Sequence, residues 1–120
     1  MFPAVATAAR LAPRFAARAT SHDQAGAFPV DDFADLRENG LMGLMVPTAL
    51  GGLGATFSDY ADVAFELARG NGATALVFNM HASVTGALAG IPLEMADALG
   101  IPASFFVARD EILADRKSVV

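Results

Sequence analysis

Few side chains in this sequence can do chemistry, and their types narrow it quickly. Two histidines, His22 and His81, and no cysteine leave little for a zinc site. The carboxylates Asp31, Asp32, Asp59 and Asp62 fall in the first turns of predicted helices, where they complement the dipole. The cluster Gly51-Gly52-Leu53-Gly54 is neither a P-loop nor a dinucleotide fingerprint, because no Lys-Ser/Thr follows it and no strand precedes it. A tight packed turn accounts for it. What remains is one helix face that mixes Thr74, Phe78, His81 and Thr85 at i, i+4, i+7 and i+11, with Val77 at its edge. Such a face looks toward something with polar demands. Histidine is the side chain on it that titrates near neutral pH, and its structural alternative is a buried, hydrogen-bonded core residue.

The element that must position this face is the uncharged run 72–91, which sits in a stretch free of Lys, Arg, Asp and Glu between Arg69 and Glu94. A run this long is a membrane span or a helix enclosed on most sides. Asn, His, Ser and Thr spread around its girth argue against lipid. A core helix with three kinds of neighbour is therefore expected. Leu76, Met80, Val84, Ala87 and Ile91 form an apolar stripe expected to meet the core. Asn79, Ser83, Gly86 and Gly90 form a small face that lets a backbone approach.

The chain before it reads as a helix over 3–21 that Pro13 kinks or starts. Arg10, Arg14 and Arg18 share one side of it, either as a solvated basic face or as the mark of a mitochondrial transit peptide. His22 to Pro29 reads as a loop with His22 in solvent. A short helix follows over 31–39, ended by Gly40 as a left-handed residue with Leu41 folding back on Leu36. Residues 40–57 form a turn-rich apolar connector. Ser58 is expected to cap an amphipathic helix over 59–69 that carries Tyr60, Val63, Ala64, Leu67 and Ala68 inward. Pro92 opens a short helix that Gly100 ends. Ser104 caps a last one over 105–117, with Phe105, Phe106, Ala108, Ile112 and Leu113 inside. No strand pattern of convincing length occurs. The expectation is an all-α fold of about six helices in an orthogonal or bundle-like array.

The bulk numbers agree with a single domain spanning 1–120. Hydrophobic residues make up 54% and charged residues 18%, which is apolar enough to suggest burial against a partner. A net charge of −5 and a lone lysine give no footprint for nucleic acid. The absence of cysteine and of a secretory apolar region points toward the cytoplasm.

The order of parts then becomes recognisable. Gly40-Leu41 through Val46-Pro47 to Gly51-Gly52-Leu53-Gly54, followed by Glu66-Leu67-Ala68-Arg69 and Thr74-Ala75-Leu76, resembles the N-terminal α-helical domain of the acyl-CoA dehydrogenase family. The resemblance spans roughly 10–95 and implies an FAD enzyme of three parts, with a β-barrel-like middle domain and a C-terminal four-helix bundle, assembled as homo-oligomers. It implies an acyl-CoA-type substrate, and a wall of the acyl and flavin pocket built from Thr74, Val77, Phe78, His81 and Thr85. No residue here matches the family's catalytic carboxylate, and FAD is not expected on this chain alone. The missing parts suggest a fragment, a truncated product or one piece of a split enzyme, with apolar surface left open for self-association. Some flavin-dependent monooxygenases of the same fold place a histidine near the flavin from this helix, where it would hydrogen-bond the reacting group or deprotonate a phenol-like substrate. A helical interaction module without redox chemistry is the remaining alternative.

Overall fold

The three arginines of the first helix reach polar partners on its neighbour, Arg10 and Arg14 from the solvent-exposed side and Arg18 half-buried. In the computed structural model, which describes residues 2–91, 98 and 100–115, α1 spans Pro3–Ala25 and α2 spans Val30–Glu38. Arg10 Nη2 donates to Asn39 Oδ1 at 3.0 Å, and Arg14 Nη1 lies 3.6 Å from Asp35 Oδ1. Arg18 Nη2 donates to Asp35 Oδ2 at 2.6 Å, and its Nε lies 3.0 Å from Asp32 Oδ1. The arginines climb α1 while their partners descend α2, so the two helices dock antiparallel. The Asp32 end is fully buried, and there Thr74 Oγ1 donates to Asp32 Oδ2 at 2.7 Å. One carboxylate thus ties α1, α2 and the central helix together. The close Arg18–Asp32 contact is an ion pair bent too far for a hydrogen bond. Burial works against the Arg18 charge, but the bond to Asp35 and the fields of Asp32 and Asp35 outweigh it and hold its pKa above the ordinary value.

The first helix is also longer than its sequence suggests. It passes through Pro13 without a break and ends at Gly26 (φ 62°), where Ala27 N–H bonds His22 O and Gly26 N–H bonds Asp23 O. That is a Schellman stop. Pro13 is tolerated because it and Ala9, whose carbonyl loses its donor, are both exposed to water. His22 therefore lies in the last turn of α1, not in a loop. It is half-buried, with Nδ1 enclosed and unbonded among the described residues.

The expected stop after α2 is present, with Gly40 at φ 76° and both Leu36 and Leu41 fully buried. The connector coils through two short 3₁₀ turns, Leu41–Gly43 and Thr48–Leu50, and closes on itself. Leu53, Gly54 and Ala55 N–H return to the carbonyls of Gly43, Val46 and Leu44 at 2.9–3.0 Å. A Cβ on Gly52 would overlap the Val46 carbonyl, so the closure needs glycine there.

Helix α3 spans Phe57–Gly70. Its cap is Thr56 rather than Ser58: Thr56 Oγ1 accepts from Asp59 N–H, and Asp59 Oδ2 accepts from Thr56 N–H, both at 3.1 Å. Val63 and Leu67 are buried, as the stripe requires, whereas Ala68 is exposed. At Gly70 the backbone of α1 comes so close that a Cβ would stand 2.9 Å from Ala12 Cα. Asn71 ends α3 and caps the next helix, accepting from the N–H groups of Ala73 and Thr74.

The central helix α4, Gly72–Ala89, buries a different face from the one its large side chains mark. Thr74, Ala75, Phe78, Ala82 and Thr85 are inside, while Leu76, Met80 and Val84 are 62%, 63% and 60% exposed. The expectation that this stripe meets the core is corrected. Phe57 and Phe65 of α3 are exposed as well, so both helices of the α3–α4 hairpin carry open apolar side chains.

Helix α5, Ala103–Asp115, turns Phe106 and Leu113 inward and leaves Ala108 and Ile112 exposed, against the expectation for the last two. Arg109 Nη1 donates to Ile91 O at 2.6 Å, which ties α5 to the end of α4. The helix expected from Pro92 falls outside the described residues except for Ala98 and for Gly100, at φ 68°. Among the described residues the fold is all-α, and no helix is long and apolar enough to cross a membrane.

Two substitution pairs test this architecture. Asp32→Ala leaves Arg18 and Thr74 without their shared partner and should lower stability to urea by about 3–5 kcal/mol, whereas Thr74→Val should cost about 1–3 kcal/mol. Equal losses would show that the carboxylate is not the anchor. Gly70→Ala gains at most about 1 kcal/mol of helix propensity but sets a Cβ against immovable α1 backbone, at about 1–3 kcal/mol or more, so it should destabilise. Gly72→Ala meets nothing within 4 Å and should be neutral or stabilising in the same thermal melts.

Candidate functional site

The sequence assigns Thr74, Val77, Phe78, His81 and Thr85 to a pocket wall, and the structure places each of them. Thr74 is fully buried, and its hydroxyl is committed to Asp32. Phe78 is fully buried in the main core, and Val77 packs half-buried against that core. Thr85 is buried, with its hydroxyl 3.1 Å from the carbonyl oxygens of both His81 and Ala82. It is therefore satisfied by its own helix. His81 is half-buried, and its Nε2 lies 2.7 Å from the carbonyl oxygen of Met42 in the connector.

That contact settles the proton on the ring. A carbonyl oxygen can only accept, so Nε2 carries hydrogen. In the neutral imidazole the lone pair then lies on Nδ1. The connector fixes the tautomer, and a side chain held this way can accept a proton at Nδ1 or, once charged, donate one there. Of the five residues, His81 alone has a titratable group and partial access to solvent.

A second feature lies on another side of α4. Met45, Phe57, Tyr60, Ala82, Ser83, Gly86 and Ala87 line an open cleft of about 390 Å³. The sequence marks Ser83 and Gly86 as a small face for a backbone to approach. In the structure it is the side chain of Met45 that comes over Gly86, 3.2 Å from where a Cβ would be. Burial pushes the Tyr60 phenol above its ordinary pKa. Phe57 and Tyr60 could have been found from their i, i+3 spacing, but nothing in the sequence shows that the connector brings Met45 to them.

Neither feature holds a metal or a phosphate. Among the described residues no group of three His, Cys, Asp or Glu side chains could bind a metal ion. The amides of Gly52, Leu53 and Gly54 are spent on the connector's own carbonyls and are not free to cradle an anion. The glycine connector therefore does not fit the phosphate end of a flavin nucleotide.

Residues 5–91 match the family described as acyl-CoA dehydrogenase, N-terminal domain. The chain is similar to a probable FMNH2-dependent monooxygenase of Pseudomonas putida, 40% identical over 79 residues, which cover 66% of this chain and 20% of that protein. It is similar to an L-evernosamine nitrososynthase of a Micromonospora species, 42% identical over 72 residues, 59% of this chain and 17% of that protein. A putative acyl-CoA dehydrogenase of Bacillus subtilis is 37% identical over 79 residues, 66% of this chain and 21% of that protein. The chain thus spans about a fifth of the length of the curated relatives it matches. No solved structure matches it. The all-helical fold and the match over 5–91 lead to one conclusion: the chain belongs to the acyl-CoA dehydrogenase family and carries its N-terminal helical domain.

Proposed function

We propose that the chain is the helical N-terminal domain of a flavin-dependent monooxygenase of this family, in which His81 handles a proton beside the reacting substrate. The observation that carries the reading is the His81 Nε2 contact with Met42 O, which leaves Nδ1 as the neutral ring's acceptor. Similarity to a probable FMNH2-dependent monooxygenase supports it. The redox chemistry would come from a flavin, FAD or FMN, held by other parts of the enzyme. This chain would contribute the oriented imidazole and the wall that carries it: Thr74 and Phe78 anchor the helix, Val77 packs against the core one turn before His81, and Thr85 accounts for the carbonyl of His81. The open stripe of Leu76, Met80 and Val84 would face the remaining domains or a further subunit of a cytoplasmic homo-oligomer.

A second reading, an acyl-CoA dehydrogenase with FAD, is favoured by the same stripe. Three long apolar side chains at i, i+4 and i+8 suit an acyl chain, and the putative acyl-CoA dehydrogenase of Bacillus subtilis is similar over this region. His81 then has no part in turnover and remains a positioned core residue.

The two readings separate on His81. The protein is expressed with any sequence that follows Val120 in its reading frame and assayed with reduced flavin and oxygen. His81→Ala should lower substrate oxygenation by about 100-fold or more. His81→Gln keeps a donor for Met42 but has no nitrogen that can take up a proton, so it should match the wild type in thermal stability and lose oxygenation as His81→Ala does. Undiminished oxygenation in His81→Gln would end the monooxygenase reading, and acyl-CoA oxidation insensitive to both changes would establish the second.

A further inference from the structure

We propose that the cleft between the start of α3 and the end of α4 is a binding site for a neutral, largely aromatic small molecule that carries one hydrogen-bonding group. It is independent of the flavin reading and separate from His81. At about 100° per residue, Ser83 is turned about 200° around α4 from that histidine.

The lining defines the ligand. The cleft's volume of about 390 Å³ falls within the roughly 300–1,000 Å³ of small-molecule sites. No residue that lines it is charged, so an ionic group seated there would lose water without gaining a partner. The rings of Phe57 and Tyr60, 5.9 Å apart and tilted by 48°, make an angled aromatic wall. Met45 faces them as a flexible, polarisable thioether. The hydroxyls of Tyr60 and Ser83 make no hydrogen bond among the described residues. Burial keeps the Tyr60 phenol protonated, so it remains a donor through the physiological range. Space for the ligand exists because Gly86 has no side chain. A Cβ there would come within 3.2 Å of Met45 Cε, and a longer side chain would fill the opening.

The test is a calorimetric titration of the whole chain with naphthol, with naphthalene as the partner lacking a hydroxyl. Saturable one-to-one binding of naphthol is expected. Tyr60→Phe keeps the aromatic wall and removes one hydroxyl, so it should weaken naphthol by about two- to tenfold and leave naphthalene unchanged. Gly86→Leu should abolish binding of both while the far-ultraviolet circular dichroism stays that of the wild type. If Gly86→Leu fails to fold, the Tyr60→Phe comparison decides alone. Unsaturable uptake, an equal loss of both probes in Tyr60→Phe, or unaltered binding in folded Gly86→Leu would overturn the proposal. Binding that vanishes as protein concentration rises would assign the cleft to a second copy of the chain and would overturn it too.

Discussion

A buried carboxylate has to be neutralised by something, and in this chain that requirement organises three helices. Asp32 lies on α2, its cation Arg18 lies on α1, and its hydroxyl donor Thr74 lies on α4. Leaving any of the three unpaired would cost more than most single contacts contribute, because desolvation of an ionic group is not offset by packing. The helices are therefore held at a fixed relative position by chemistry rather than by apolar contact alone. The outer part of the arginine ladder is different. Arg14 is largely in water and lies 3.6 Å from Asp35, so it adds little energy and chiefly favours the register.

Fixing α4 at its first turn leaves its far half to be placed by the connector. That segment spends its own amides on its own carbonyls, so it is a rigid plug rather than a ligand loop. From this plug Met42 offers a carbonyl to His81, and Met45 reaches Gly86. The tautomer of the histidine and the width of the cleft are thus set by one turn region, and each lies on a different side of the same helix.

Much of this was legible beforehand. The helix–stop–connector order, the left-handed Gly40 and the inward Val63 and Leu67 follow from spacing and from local backbone chemistry, which sequence states directly. The face that α4 buries was not legible. Size and apolarity point to Leu76, Met80 and Val84, yet the interior took Thr74, Ala75, Phe78, Ala82 and Thr85. Threonine can be buried without penalty once its hydroxyl is satisfied, by Asp32 in one case and by helical carbonyls in the other. Asp32 lies 42 residues from Thr74, so no local pattern announces the partner that makes the burial possible. The same applies to Arg18: its role depends on an acid that only the fold brings near.

This exchange of faces has a consequence for how the helix divides its work. A helix that hides all its large side chains keeps no apolar surface for others, whereas α4, apart from the buried Phe78, hides small and polar ones and leaves Leu76, Met80 and Val84 outside. Its interior contacts are then specified by hydrogen bonds, which fix position but add little net stability. Its exterior retains most of the apolar area, and burial of that area would stabilise an assembled state by roughly 25 cal/mol for each Å² removed from water. The architecture separates the two tasks: hydrogen bonds inside the chain set where α4 sits, and the energy available for contact with something else remains on the α3–α4 surface. A histidine at the boundary between those two faces, with one nitrogen tied inward to Met42, occupies the position from which it can serve both.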